Sequence, residues 1–287
     1  MRIASARERV RDGHLLYDIN YFPEYRAVNM SRWMINQVKI LRHRRRFLTP
    51  HGGGTHCGVF SSFAHARQWL PKSPEFDTDE YSKEYIEIRR SKIYPFDYPV
   101  IFWLRTAFEN GASSIFDVGG SVGVHYYSYR NYLDYPDGLQ WKVMDLPRAV
   151  RQGRELAARE SATRLTFTDE LDPADVGADI LMSAGAIEFL ETTGLDWMLA
   201  SAARKPRHIL LNKVPLYDGE RFVSTHNLGG GAYAPHHVFN AREFVESVES
   251  HGYVLADRWK VPERSMILPD HPQRSFDAYS GLYFRRD

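Results

Sequence analysis

Residues 114–129 read SIFDVGGSVGVHYYSY, and this stretch decides the fold. Ile115, Phe116 and Val118 are apolar and suit a short buried strand, with Asp117 at its carboxyl end. Gly119, Gly120 and Gly123 follow at once. From Val122 the spacing turns helical, with Tyr126, Tyr129 and Leu133 recurring every three or four residues. Strand, glycine turn and helix form the entry to a nucleotide-type site in a doubly wound α/β domain. The glycines allow backbone to approach a ligand where a side chain would clash.

Downstream of this stretch, strand and helix patterns alternate, the mark of a parallel sheet with crossover helices. Strands are expected at 114–118, 139–144, 165–167, 178–183, 208–214, 253–261 and 280–286, with helices at 148–159, 186–199 and 241–251. Residues 215–239 read as a long loop around Gly229, Gly230 and Gly231, and a proline-rich connection joins the last two strands. Upstream there is no such rhythm. Helices are expected near 24–46, 60–70, 79–91 and 97–110, broken by the glycines at 52–54. Two domains follow: a helical segment at 1–110 that caps or dimerises the protein, and an α/β domain at 111–287.

Composition bounds the answer. With 287 residues, 43% hydrophobic and 25% charged, the chain has the make-up of an ordinary globular protein with an ample core. One cysteine, Cys57, excludes an internal disulfide and points to a reducing compartment, with the cytoplasm as the expected site. No apolar run approaches the length of a membrane span, and no signal pattern opens the chain. Residues 1–50 hold eleven Lys/Arg against four acids, a net +7 within an overall +1, leaving −6 for the rest. The cluster Arg42-His43-Arg44-Arg45-Arg46 reads as a solvated helix face above an apolar stripe of Trp33, Met34, Ile35, Val38 and Leu41. His51, His56 and Cys57 lack a fourth ligand at metal-binding spacing, so they read as loop residues and no metal is expected.

Two acids narrow the ligand. Asp145 ends the second strand, where a carboxylate accepts hydrogen bonds from ribose hydroxyls. Asp117 stands ahead of the glycines, where it would repel a pyrophosphate and favour a cationic amino-acid tail. That charge logic prefers S-adenosylmethionine over NAD.

FDVGGSVG resembles motif I of class I S-adenosylmethionine-dependent methyltransferases, and WKVMDLPRAV resembles the second-strand motif of small-molecule O-methyltransferases. Five further pieces are similar to a family of methyltransferases found among bacterial surface-polysaccharide and natural-product gene sets. They are GVFSSFAHARQ (58–68), DVGGSVGVHYY (117–127), ADILMSAGAIEFLE (178–191), THNLGGGAYAPHHVFNAREF (225–244) and HGYVLADRW (251–259). The resemblance implies a Rossmann-like class I methyltransferase fold, a seven-stranded, mostly parallel sheet with an antiparallel last strand. By position it implies Asp117, Gly119, Gly120, Ser121 and Gly123 around the methionine moiety, Asp145 on the ribose, Leu146 and Asp169 at the adenine, and Ser183, Ala184 and Gly185 at the mouth where methyl leaves.

A hydroxyl acceptor must lose a proton, so a base is needed. His226 is the first choice and His237 the second, both on the 215–239 loop, with Glu188 a third. Tyr126, Asn227 and His236 are expected to touch the acceptor, a small molecule or saccharide. N- or C-methylation, a non-catalytic methyltransferase-like scaffold and a nucleic-acid-binding relative are the alternatives. Nucleic acid is disfavoured because Ser183-Ala184-Gly185-Ala186 replaces the Asp/Asn-Pro-Pro-aromatic signature.

Overall fold

A computed structural model of the chain describes residues 9–11, 14–16, 23–76 and 86–286. By contacts it divides into two units, residues 1–45 and 46–287. The first holds the paired strands β1 (Arg9–Arg11) and β2 (His14–Leu16) and most of α1 (Pro23–Phe47). The second begins ahead of the expected boundary at 110, with β3 (His56–Phe60), α2 (Phe63–Trp69) and α3 (Tyr98–Glu109).

The expected sheet then follows in order: β4 (Ser114–Val118), α4 (Val124–Tyr129), β5 (Gln140–Met144), α5 (Pro147–Arg159), β6 (Leu165–Thr168), α6 (Pro173–Val176), β7 (Ile180–Ala184), α7 (Leu195–Ser201) and β8 (His208–Val214). Beyond it come β9 (Leu216–Tyr217), β10 (Phe222–Gly229), β11 (Ala232–Asn240), α8 (Ala241–Ser250), β12 (Val254–Val261) and β13 (Tyr279–Arg285). Seven strands pair in the order β12-β13-β8-β7-β4-β5-β6. Strands β4 to β8 are mutually parallel, while β13 runs antiparallel to both β8 and β12. The chain winds outward from β4 through β5 to β6, then returns to β7 on the other side. The crevice at that reversal, above the carboxyl ends of β4 and β7, is where such sheets bind ligands.

Burial on both faces explains the near-continuous apolar strands. Successive residues point to opposite cores: Ile115, Met182 and Leu210 join one, and Phe116, Leu181, Ile209 and Leu211 the other. Helix α5 contributes Val150, Leu156 and Ala157 to the first, an amphipathic stripe over β5 and β6.

Three readings of the sequence are corrected. Residues 215–239 are not a loop: β10 and β11 form a hairpin that β3 extends on one edge and β9 on the other, a second sheet ordered β3-β10-β11-β9. Its tight reversal uses Gly229, Gly230 and Gly231, all at positive φ (94°, 61° and 85°), which only glycine adopts freely. Residues 186–199 are not one helix. A single 3-10 turn, Ile187–Phe189, is followed by an irregular stretch at Glu191-Thr192-Thr193-Gly194 before α7 begins. The β-branched pair and glycine there disfavour helix. The apolar stripe of α1 is not buried, since Trp33, Met34, Ile35, Val38 and Leu41 are 62, 52, 57, 45 and 57% exposed. The helix expected at 79–91 lies largely outside the described residues; 89–91 form a 3-10 turn. Among the described residues no helix is long and apolar enough to cross a membrane.

Candidate active site

A cavity of about 1020 Å³ opens at the sheet reversal. Its lower wall is mostly backbone. Gly119, Gly120 and Ser121 line it after β4, Asp145 and Leu146 after β5, Asp169 after β6, and Ala184 and Gly185 after β7. Gly119 holds φ +76° and packs so closely on Ala186 that a Cβ would lie 2.1 Å from the Ala186 Cβ. The turn therefore presents bare peptide to the cavity. Asp145 ties that turn in place: its Oδ2 accepts the Ser121 N–H at 2.8 Å and its Oδ1 the Leu146 N–H at 2.7 Å. Burial pushes this carboxyl up to about 6, against the lowering by those two bonds.

Several expected ligand contacts serve the fold instead. Asp117 is fully buried beneath the turn, where its Oδ2 accepts from His125 Nδ1 at 3.0 Å and Trp141 Nε1 at 3.3 Å. Gly120 rides directly on that carboxylate, and a Cβ there would sit 2.5 Å from Oδ2. Asp117 thus supports the glycines from below rather than facing a cationic tail. Gly123, at φ +87°, starts α4 and packs on Leu165 of β6. The Ser183 hydroxyl donates to the Val118 carbonyl at 2.9 Å. Tyr126 sits in an aromatic core with Tyr127, Tyr135 and Trp141. Asn227 is fully buried, its amide donating to the Phe47 and Thr49 carbonyls and accepting from Gly229, which pins the hairpin to the end of α1.

The upper wall is made of side chains. His56 and His226 are direct partners in the β3–β10 register, and their rings stack at 4.4 Å between centroids. His236 lies one diagonal away on the same face, opposite Ser224. His237, its neighbour along β11, points to the other face and packs on Phe63 at 4.6 Å, outside the cavity. Its removal from the site follows from the strand alternation that a loop reading could not supply. Two of the three inward histidines, His56 and His236, are held by a hydrogen-bonded row, and His226 stacks on the first of them. Tyr279 Oη lies 3.2 Å from His56 Nε2, His56 Nδ1 3.1 Å from His236 Nε2, and His236 Nδ1 3.1 Å from the His237 carbonyl. Burial holds the His226 ring well below the usual imidazole range and takes His236 down to about 4, so both are neutral. Among the described residues no group of three metal-ligating side chains is arranged to hold a metal ion.

Glu188 reaches the same space from the 3-10 turn after β7. It is 5% exposed, and its Oε2 has no hydrogen-bond partner. Burial pushes the carboxyl up to about 7, opposed by its own backbone amide and the Lys213 and Arg264 charges. Lys213, Arg264, Tyr279 and Phe189 complete this half, together with Tyr94 and Phe96, whose rings stack at 5.3 Å. None of these six was singled out from sequence. Lys213 carried a usable signal, because Asn212-Lys213 ends an apolar strand at the ligand edge of the sheet. Arg264 and Tyr279 flank the proline-rich connection and carried none. His56, read as an incidental loop residue, is the first residue of β3.

No family model matches the chain, and no curated relative is found. Solved structures resemble it at low identity. One is the 1,6-didemethyltoxoflavin-N1-methyltransferase of Burkholderia thailandensis, bound to 1,6-didemethyltoxoflavin and S-adenosylhomocysteine, with TM-score 0.46 and 16% identity over 76% of this chain and 93% of that one. A second is the CcbJ methyltransferase of Streptomyces caelestis, with TM-score 0.46 and 14% identity over 71% and 95% of the two chains. A third is magnesium protoporphyrin IX methyltransferase of Synechocystis with bound S-adenosylhomocysteine, at TM-score 0.43, 15% identity, 66% and 81% coverage. The strand order and the single antiparallel insertion give this chain the Rossmann-like class I methyltransferase fold.

Proposed function

We propose that this protein is an S-adenosylmethionine-dependent methyltransferase that methylates a hydroxyl oxygen of a small-molecule or sugar-containing acceptor. The observation that carries the reading is the continuity of one cavity from the glycine turn and Asp145 to the buried, unpaired Glu188 oxygen. Bound there, S-adenosylmethionine supplies a methyl group made electrophilic by its sulfonium.

Asp145 receives the ribose hydroxyls at the carboxyl end of β5, and Leu146 and Asp169 flank the adenine end. Backbone at Gly119, Gly120 and Ser121 cradles the amino-acid end, and Ala184 and Gly185 line the mouth between the two halves. The acceptor lies across Phe189 and the His56–His226 pair, with its hydroxyl toward Glu188 Oε2, which takes the proton as the oxygen is methylated. A carboxyl near 7 is half ionised at neutral pH, whereas His226 and His236 bind protons too weakly to compete. Holding the two reactants in register supplies about 7–11 kcal/mol of the barrier.

The exposed apolar residues of α1 fit a homodimer formed through that helix, which sedimentation would read directly. The single cysteine, Cys57, is buried and fits a cytoplasmic enzyme.

Titration with S-adenosylhomocysteine is expected to raise the melting temperature, and Asp145→Ala to abolish the shift. No shift in the unaltered protein overturns the reading.

A further inference from the structure

The upper half of the cavity holds more positive charge than its acids can pair. Lys213 and Arg264 both line it, and neither side chain forms a salt bridge or hydrogen bond with a described residue, although Glu188 feels both charges. Lys213 Nζ lies over the Phe96 ring, 5.5 Å from its centroid. On the other side it reaches Gly185, where a Cβ would meet Lys213 Cε at 3.2 Å and Nζ at 3.6 Å. The ammonium therefore hangs at the mouth between the two halves of the cavity.

That placement is built, not incidental. Lys213 holds φ +59°, a left-handed conformation that costs a non-glycine residue free energy. The strain is held by Asn212, fully enclosed, whose Oδ1 accepts the Lys213 N–H at 3.1 Å and whose amide donates to the Phe96 carbonyl at 2.9 Å. Trp259 Nε1 donates to the same Oδ1 at 3.3 Å. An ordinary strand residue would point its side chain into the sheet's face; the left-handed turn swings Lys213 over the cavity.

The nearby acids leave the pair unmatched. Asp97 spends both oxygens internally, Oδ2 on the Tyr94 N–H and Oδ1 on the Tyr129 hydroxyl, each at 2.9 Å. Glu188 is only half ionised near neutrality, and Glu263 is exposed. Burial, then the Arg264 charge, pulls the Lys213 ammonium down to about 8, so a bound anion would relieve a standing repulsion.

We propose that the acceptor carries an anionic group, a carboxylate or a phosphate, seated between the Lys213 ammonium and the Arg264 guanidinium beside the hydroxyl that is methylated. The assignment rests on the methyltransferase reading above. It narrows the acceptor to a hydroxy acid or a phosphorylated or uronic sugar. The competing anion is the cofactor's own methionine carboxylate, and the experiment separates the two.

The protein saturated with S-adenosylhomocysteine is titrated by calorimetry at constant ionic strength with two matched pairs, 4-hydroxybenzoate against 4-hydroxybenzamide and glucose 6-phosphate against glucose. The anion of at least one pair is expected to bind about tenfold more tightly than its neutral partner. Lys213→Gln and Arg264→Gln should each remove that preference, with S-adenosylhomocysteine affinity changed by less than about threefold. Arg264 lies on a connection outside the large sheet, so its variant tests the idea even if Lys213→Gln folds poorly. No preference for the anion in either pair overturns the proposal, as does a preference that survives both substitutions. A loss of S-adenosylhomocysteine affinity in the variants assigns the cations to the cofactor instead and overturns it too. Failure of the unaltered protein to bind S-adenosylhomocysteine would strike the underlying methyltransferase reading.

Discussion

The two sheets contribute to the cavity in opposite ways. The large sheet offers peptide groups at Gly119–Ser121 and Gly185, with Asp145 and Lys213 as its charged contributions, and its central strands are largely apolar on both faces. The small sheet offers side chains, His56, His226 and His236, from strands whose inward face is polar and whose members come from opposite ends of the unit. A backbone rim meets its ligand through peptide groups, and here Gly119 and Gly120 have no room for a side chain. Side-chain walls can be rewritten residue by residue without disturbing the parallel core. On the proposed reading, the cofactor is matched to the rigid sheet and the acceptor to the adaptable one.

The sharpest way to break this division is Glu188→Gln. We expect turnover to fall by about 10²–10⁴-fold with cofactor affinity unchanged, measured by steady-state kinetics and calorimetry. The same change should stabilise the fold. A carboxyl raised from 4.5 to about 7 by burial weakens the native state progressively as pH rises through that window. Removing it should therefore contribute up to about 3 kcal/mol at pH 8 and nothing at pH 4, read as melting temperature against pH.

Gly120→Ala tests the rigid side. Its Cβ must displace a carboxylate held by two donors, and the expected cost is about 1–3 kcal/mol, with the melting temperature lowered by roughly 2–4 °C per kcal/mol.

A milder effect is the pH profile of turnover. It should climb as Glu188 ionises near 7 and decline as Lys213, which faces Arg264, Asp97, Arg89 and Glu188, loses its proton near 8. A profile flat from pH 6 to 9 would remove both groups from the chemistry.

The smallest effect is reserved for His237→Ala. Because that ring packs on Phe63 away from the cavity, turnover should change by less than about twofold while stability drops slightly.

The large sheet was legible because its signal is local. The strands β4 to β7 are each apolar-rich and followed at once by an acid or a glycine, and α5 carries a clear amphipathic stripe. The small sheet was not, for a physical reason. THNLGGGAYAPHH alternates nothing apolar against polar, since its inward face holds histidines around a ligand space, and three glycines at its tip mimic a flexible loop. Its partner β3 lies over 160 residues upstream, and no local pattern reports that pairing. The same blindness made His237 the second choice of base and His236 only an acceptor contact. Once the strand is known, alternation separates them. Asp117 shows a subtler limit, because its position was read correctly as the end of β4, but only packing reveals that the carboxylate faces the underside of the turn.

The hydrogen-bonded row on the small sheet has a direction. The His237 carbonyl can only accept, so His236 must present Nδ1–H to it and keep Nε2 bare. His56 then donates from Nδ1 to His236, and its Nε2 stands 3.2 Å from the Tyr279 hydroxyl. What reaches the cavity is the Tyr279 hydroxyl. A proton entering there has nowhere to go, since the far terminus is a peptide oxygen that cannot be protonated at physiological pH. The row is a blind alley for charge and a ruler for shape: it fixes the tilt of the Tyr279, His56 and His236 rings and, on the proposed reading, leaves Glu188 as the exit for a proton.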